Sequence, residues 1–223
     1  MDVIEAIKAR RSIRGYKPDP VPKAILREIL EVATRAPSSM NTQPWEFTVI
    51  TGGVMEKIKQ ATIEKFNAGE PPQPSVARGG YTGKYRERQV ALGIQLFQLM
   101  NIAREDKEKR AEWTRRGFRF FDAPAAIIIS VDKSLGEGGD AGQFDIGSIT
   151  QTICLAALKY GLGTCIQGQG IMYPDVIRKF TGVSESKRIS ICITIGYPDW
   201  DFPANKLCSE REPIDIVTTW CGF

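Results

Sequence analysis

The sequence predicts an α+β or three-layer domain, on three observations. Four segments have strand length and strand-like composition, about seven have the periodicity of helices, and the two kinds interleave along the chain. No internal repeat and no shift in composition marks a boundary in the 223 residues, so 1–223 is expected to be a single domain. With 42% hydrophobic and 25% charged residues the chain is long enough to bury a sizeable core. Hydrophobic order leaves the strand pairing open.

Ile4 and Ile7 lie three apart on a helix that starts near Asp2 and delivers Arg10-Arg11-Ser12-Ile13-Arg14 into a loop marked by Gly15 and Pro18. A second helix follows Pro22, with Ile25, Ile29 and Ala33 on one stripe and Leu26 and Leu30 beside it, and it stops at Pro37. Residues 45–51 alternate and are rich in β-formers, which predicts a strand ended by Gly52-Gly53. Residues 54–66 are helical by composition. The stretch 68–83 is rich in Gly, Pro and polar residues, and a connection that long is either disordered or a functional loop such as a lid. Residues 85–103 read as a strong helix with Leu92, Leu96, Leu99 and Ala103 near one face, and another helix covers 106–116. The apolar run 125–131 has strand length. A mostly buried helix spans 143–160, and Gly161-Leu162-Gly163 stops it and leads into a strand over 164–167. A short helix follows Pro174, and 188–195 alternates as a strand before Gly196-Tyr197-Pro198. The tail 214–223 carries Val217, Trp220 and Phe223 where a free terminus is usually polar. It needs a surface to dock on, and a second subunit would supply one.

Histidine is absent from the chain, which excludes a Ser-His-Asp triad, a Cys-His pair, an imidazole base and a histidine metal site. The 5 cysteines show no C-x-x-C spacing and read as reduced thiols of a cytoplasmic protein. No secretory leader pattern opens the chain, and no stretch approaches the roughly 18 uninterrupted apolar residues of a membrane span, so no membrane association is expected. A net charge of +4 without a concentrated basic face argues against a nucleic-acid partner.

Four clusters are candidates for chemistry. Arg10-Arg11-Ser12-x-Arg14 offers guanidinium forks and a hydroxyl suited to a phosphate monoester, although two arginines closing a helix also complement its negative end. Ser38-Ser39-x-Asn41-x-Gln43 gathers amides and hydroxyls between a helix stop and a strand start, fit for a flat polar ring or for capping the turn itself. Residues 164–170 carry polar side chains and two glycines that let backbone N–H groups approach a ligand. Lys206 and Arg211 are either phosphate ligands or solvated charges.

Taken together and in this order, RRSxR, SSxNxQPWEF, the Gly-Leu-Gly turn, IGYP and the basic cluster before an apolar tail resemble the FMN-dependent nitroreductase family, from about Val3 to the C-terminus. The resemblance implies a three-layer α/β/α sandwich forming a homodimer, with 205–223 as an extended C-terminal arm wrapping the partner. It implies FMN at the subunit interface, with hydride passing from NADH or NADPH through FMN to a small-molecule acceptor, a nitroaromatic or a quinone, by a ping-pong mechanism. Arg10, Arg11, Ser12 and Arg14 would hold the phosphate and ribityl chain, and Lys206 and Arg211 would complete the phosphate site. Ser38, Ser39, Asn41 and Gln43 would come from the other subunit, while Ile166, Gln167 and Gly168 would lie along the ring.

Two departures accompany it: Cys208 stands where family members often have an arginine, and Gln167 where well-studied relatives have a glutamate. The same scaffold also supports reductive dehalogenation, for which an ordered lid over 68–83 would argue, and flavin-binding proteins with little turnover.

Overall fold

The computed structural model describes residues 2–76, 79–135 and 140–223. In chain order its elements are α1 (Val3–Ala9), α2 (Lys23–Ala33), β1 (Trp45–Thr51), α3 (Gly52–Asn67), α4 (Gly83–Leu99), α5 (Lys107–Phe118), β2 (Ala125–Asp132), α6 (Asp140–Leu158), β3 (Gly163–Gln167), α7 (Pro174–Thr181), β4 (Lys187–Gly196) and α8 (Ile214–Val217). The strands form one sheet in the order β1-β2-β4-β3, with every neighbouring pair antiparallel.

Both faces of the sheet are covered, so the expected three-layer α+β architecture is present. Side chains alternate between the faces of a strand, and the packing divides accordingly. Ile127, Ile129, Ile193 and Ile195 meet α2 and α6 through Ile29, Ala33, Ile149 and Ile153. On the opposite face, Ala126, Ile128 and Cys192 meet α3 and α7 through Ile58, Val176 and Ile177. The pairing register shifts between Ile129 and Ser130, opposite Ser190, and this bulge moves Ile189 onto the second face.

Local signals explain the elements that frame the site. Asp2 and Glu5 form a reciprocal capping box, with Glu5 N–H donating to Asp2 Oδ1 at 2.8 Å and Asp2 N–H to Glu5 Oε2 at 2.9 Å. Helix α4 stops at Leu99, short of the predicted residue 103, because Asn101 takes a left-handed φ of 51°. The early part of the long connection 68–83 is tied down: Gln73 N–H donates to Met172 O at 3.0 Å and Tyr173 OH to Glu70 O at 2.8 Å. Residues 77 and 78 of that connection lie outside the described residues.

Candidate functional site

Residues 10–17 leave α1 and run along the outer edge of β3. Ser12 makes a parallel bridge with Thr164, Ile13 N–H donates to Thr164 O at 2.9 Å, and Lys17 N–H donates to Tyr197 O at 2.9 Å. Ile13 is buried against Gly163, where a Cβ would lie 2.5 Å from Ile13 Cγ1, so the glycine sets how closely this segment approaches the strand.

Asn205, fully buried in the short turn Pro203–Lys206, joins the two ends of the chain. Its Oδ1 accepts from Arg14 N–H at 2.7 Å and Gly15 N–H at 3.2 Å, and its Nδ2 donates to Gly15 O and Asp199 O, each at 2.7 Å. Lys206 is thereby fixed near the arginine segment. A lone Asn between Ala204 and Lys206 has no motif to mark it, and nothing in the sequence singles it out.

The side chains of Arg10, Arg11, Ser12 and Arg14 are half-buried, and among the described residues none of the three guanidiniums has a carboxylate within ion-pair distance. Arg11 lies over the Trp200 ring at 5.7 Å. Beneath the cluster, burial pushes the Cys165 thiol up, opposed by Arg14, by a hydrogen bond with Ser12 and by Arg10. Burial likewise raises Cys154 to about 11, with Thr164 and Arg10 opposing. Both thiols are therefore neutral near pH 7 and do not neutralise the arginines. Lys206 is exposed and also unpaired among the described residues. Arg211 is turned onto its own loop, donating to Ser209 O at 3.0 Å, Ser209 Oγ at 2.8 Å and Glu210 O at 2.8 Å. Cys208 is exposed and shares with Lys206, Gln95 and Gln98 a cavity of about 440 Å³.

At the end of β3 the pleat separates the predicted ring-facing residues. Ile166 is 38% exposed, whereas Gln167 is 6% exposed, its Oε1 accepting from Gly170 N–H at 3.0 Å. The Gln167 side chain is thus directed into the core rather than along an open face. Gly168 and Gln169 line a cavity of about 280 Å³ together with Met172 and with Pro74 and Val76 of the long connection. The early part of the connection 68–83, expected as a loop or lid, lies against this strand end.

Ser38, Ser39, Asn41 and Gln43 form a protruding turn. Ser38 Oγ accepts from Gln43 N–H at 3.0 Å and Gln43 Nε2 donates to Asn41 O at 3.3 Å, so the capping role is present. Met40, Asn41 and Gln43 nonetheless hold left-handed φ values of 49°, 59° and 47°, and Ser39, Asn41 and Gln43 are exposed. Among the described residues no hydrogen bond joins this turn to the arginine cluster of the same chain.

The Nitroreductase family profile matches residues 7–197, spanning the arginine segment, the turn and all four strands. The chain belongs to the nitroreductase family. It is 30% identical over 222 residues to a 4-nitrobenzoate reductase of Pseudomonas putida, covering 100% of this chain and 96% of that protein. It is 32% identical to a nitrobenzene nitroreductase of Ectopseudomonas oleovorans, covering 97% and 95%. Among solved structures, an FMN and NADPH-dependent nitroreductase NfnB from Sphigopyxis sp. strain HMH superposes with a TM-score of 0.94 at 30% identity over 100% of both chains. The FMN-dependent nitroreductase NfnB of Mycobacterium smegmatis, solved with NADPH, gives 0.92 at 26% identity, covering 98% of this chain and 97% of that one.

Proposed function

We propose that this nitroreductase-family protein is an FMN-dependent oxidoreductase that takes a hydride from NADPH or NADH and reduces small nitroaromatic or quinone-like acceptors. The observation that carries the proposal is that Asn205, bonded to the Arg14 and Gly15 backbone, ties the segment bearing Arg10, Arg11 and Arg14 to the turn bearing Lys206, and that none of these four has a carboxylate partner among the described residues. Such a donor set, with the Ser12 hydroxyl beside it, fits a phosphate monoester and so fits FMN. FMN held there would supply the redox chemistry, as the carrier of hydride between the nicotinamide and the acceptor. The chain's own residues would do the rest: the arginines and Lys206 would neutralise the phosphate, Ser12 would orient it, Ile166 would offer an apolar face to the ring and the Gly168 backbone would approach its edge. Arg211 supports the phosphate site only after leaving its loop contacts.

A homodimer accounts for surfaces that one chain leaves uncovered. Val3, Ile4 and Ile7 of α1 are exposed, α4 buries no residue, and β1 is an open edge strand. A groove of about 570 Å³ beside that edge is lined by Leu26, Leu30, Phe47 and Val49, while Ile214, Ile216, Val217, Trp220 and Phe223 leave the tail apolar and exposed. An exposed edge beside an apolar groove invites another strand, and the arm 205–223 of a second copy is suited to it. The turn 38–43 would then reach the flavin of that copy. Among the described residues no helix is long and apolar enough to cross a membrane, and cytoplasmic residence accords with 5 free cysteines.

Anaerobic stopped-flow reduction of the FMN-loaded protein by NADPH and by NADH, followed by reoxidation with nitrobenzoate, a quinone or a halophenol, tests the function. Rapid flavin reduction and reoxidation by the nitroarene or quinone is expected. A flavin that neither nucleotide reduces would overturn the proposal, and preferential reoxidation by the halophenol would favour dehalogenation.

A further inference from the structure

We infer that Asp145 of α6 is a positioning residue that holds the 38–43 turn in its ligand-facing shape, an inference that rests on the FMN reading above. The turn cannot hold itself. Met40, Asn41 and Gln43 sit at φ 49°, 59° and 47°, a region that costs an L residue about 1 kcal/mol or more at each position. Nor does packing hold it, since Met40 is 95% exposed and burial resumes only at Pro44 and Trp45. Its internal bonds, Asn41 N–H to Ser38 O and Gln43 N–H to Ser38 Oγ, each at 3.0 Å, close the turn without fixing where it points.

The tie to the body of the domain is the Ser39 N–H, which donates to Asp145 Oδ1 at 3.1 Å and Oδ2 at 3.3 Å. Among the described residues this is the sole side-chain hydrogen bond between residues 38–43 and another element. Asp145 is 3% exposed, between the buried Ile146 and the 77% exposed Phe144, and no lysine or arginine forms an ion pair with it among the described residues. Burying a carboxylate is costly, and at this place in a core an apolar residue would be cheaper for folding alone. Helix charge complementarity does not explain it either, because Asp145 lies beyond the first turn of a helix that begins at Asp140, where that effect fades. What the carboxylate does provide is a strong acceptor aimed at one N–H, in the middle of the turn whose exposed Ser39 and Asn41 would meet the flavin.

The inference is tested on purified full-length protein through the FMN dissociation constant, the visible circular dichroism of bound flavin and the exchange rate of the Ser39 amide. Asp145→Ala should raise the FMN dissociation constant about tenfold or more, as expected for losing a hydrogen bond to a charged group. It should also change the flavin dichroism and deprotect Ser39, while the apo-protein stays folded. Asp145→Asn, whose Oδ1 still accepts, should recover most of the affinity. Thr150→Val, which replaces a buried hydroxyl of the same helix that has no hydrogen-bond partner among the described residues, should change none of the three readouts. The inference is overturned if Asp145→Ala binds FMN like wild type with unchanged dichroism, or if Thr150→Val loses as much. An Asp145→Ala chain that cannot fold without FMN also overturns it, in favour of a core role. Wild-type protein that takes up no FMN would overturn the functional reading itself, which normal wild-type binding leaves standing whatever the variants do.

Discussion

Gly15 and Phe202 meet where no side chain fits: a Cβ on Gly15 would lie 2.2 Å from Phe202 Cγ. The same aromatic ring carries the Arg116 guanidinium at 4.5 Å from its centroid, and Arg116 in turn pairs with Asp122 at 2.7 Å. Gly15 is thus held against Phe202 while Asn205 takes its N–H and its C=O, and the arginine segment is fixed to the turn that presents Lys206.

Gly15→Ala should therefore act at two levels. Forcing a methyl into this contact should destabilise the fold by about 1–3 kcal/mol, the usual range for overpacking. Because the strain separates Arg14 from Lys206, FMN affinity should fall as well. Urea denaturation of the apo-protein and FMN titration measure the two effects separately.

Deleting residues 214–223 should weaken dimerisation while leaving each chain folded. The removed segment supplies Ile214, Ile216, Val217, Trp220 and Phe223, all exposed, and none of the buried core. Light scattering over a concentration series is the check, and a truncated protein as dimeric as wild type would contradict the docked arm.

Most elements were legible because each follows from a short-range signal. The period of α2, the apolar run of β2 and the glycine stop after α6 each depend on neighbouring residues alone, and the observed bounds differ mainly where a left-handed residue such as Asn101 intervenes. The pairing order β1-β2-β4-β3 was not legible, because it is set by contacts between distant segments. Asn205 and Asp145 were missed for the same reason, since each acts on a backbone N–H more than 100 residues away, at separations of 190 for Gly15 and 106 for Ser39. The resemblance implies that Gln167 lies along the ring, and the phase of the β3 pleat, which the sequence does not show, turns its side chain inward.

Asp132 makes the acid side of the stability profile sensitive. The Ser134 hydroxyl and N–H and the Lys187 ammonium hold its carboxyl well below the usual range. A depressed folded value means the stabilisation is fully present above the unfolded value of about 3.9 and is lost as pH falls through the folded one. Asp132→Asn should therefore lower the melting temperature at pH 7 and flatten its decline below about pH 4. Melting curves of both proteins between pH 7 and strong acid provide the comparison.

If the paired arginines after α1 hold a flavin phosphate, the visible absorption of the protein reconstituted with FMN and then desalted reports it. Wild type should retain the flavin bands at one FMN per chain, whereas the double substitution Arg10→Ala with Arg11→Ala should come through colourless yet folded. A colourless wild type, or a double variant that keeps its full flavin, would rule out this role for Arg10 and Arg11.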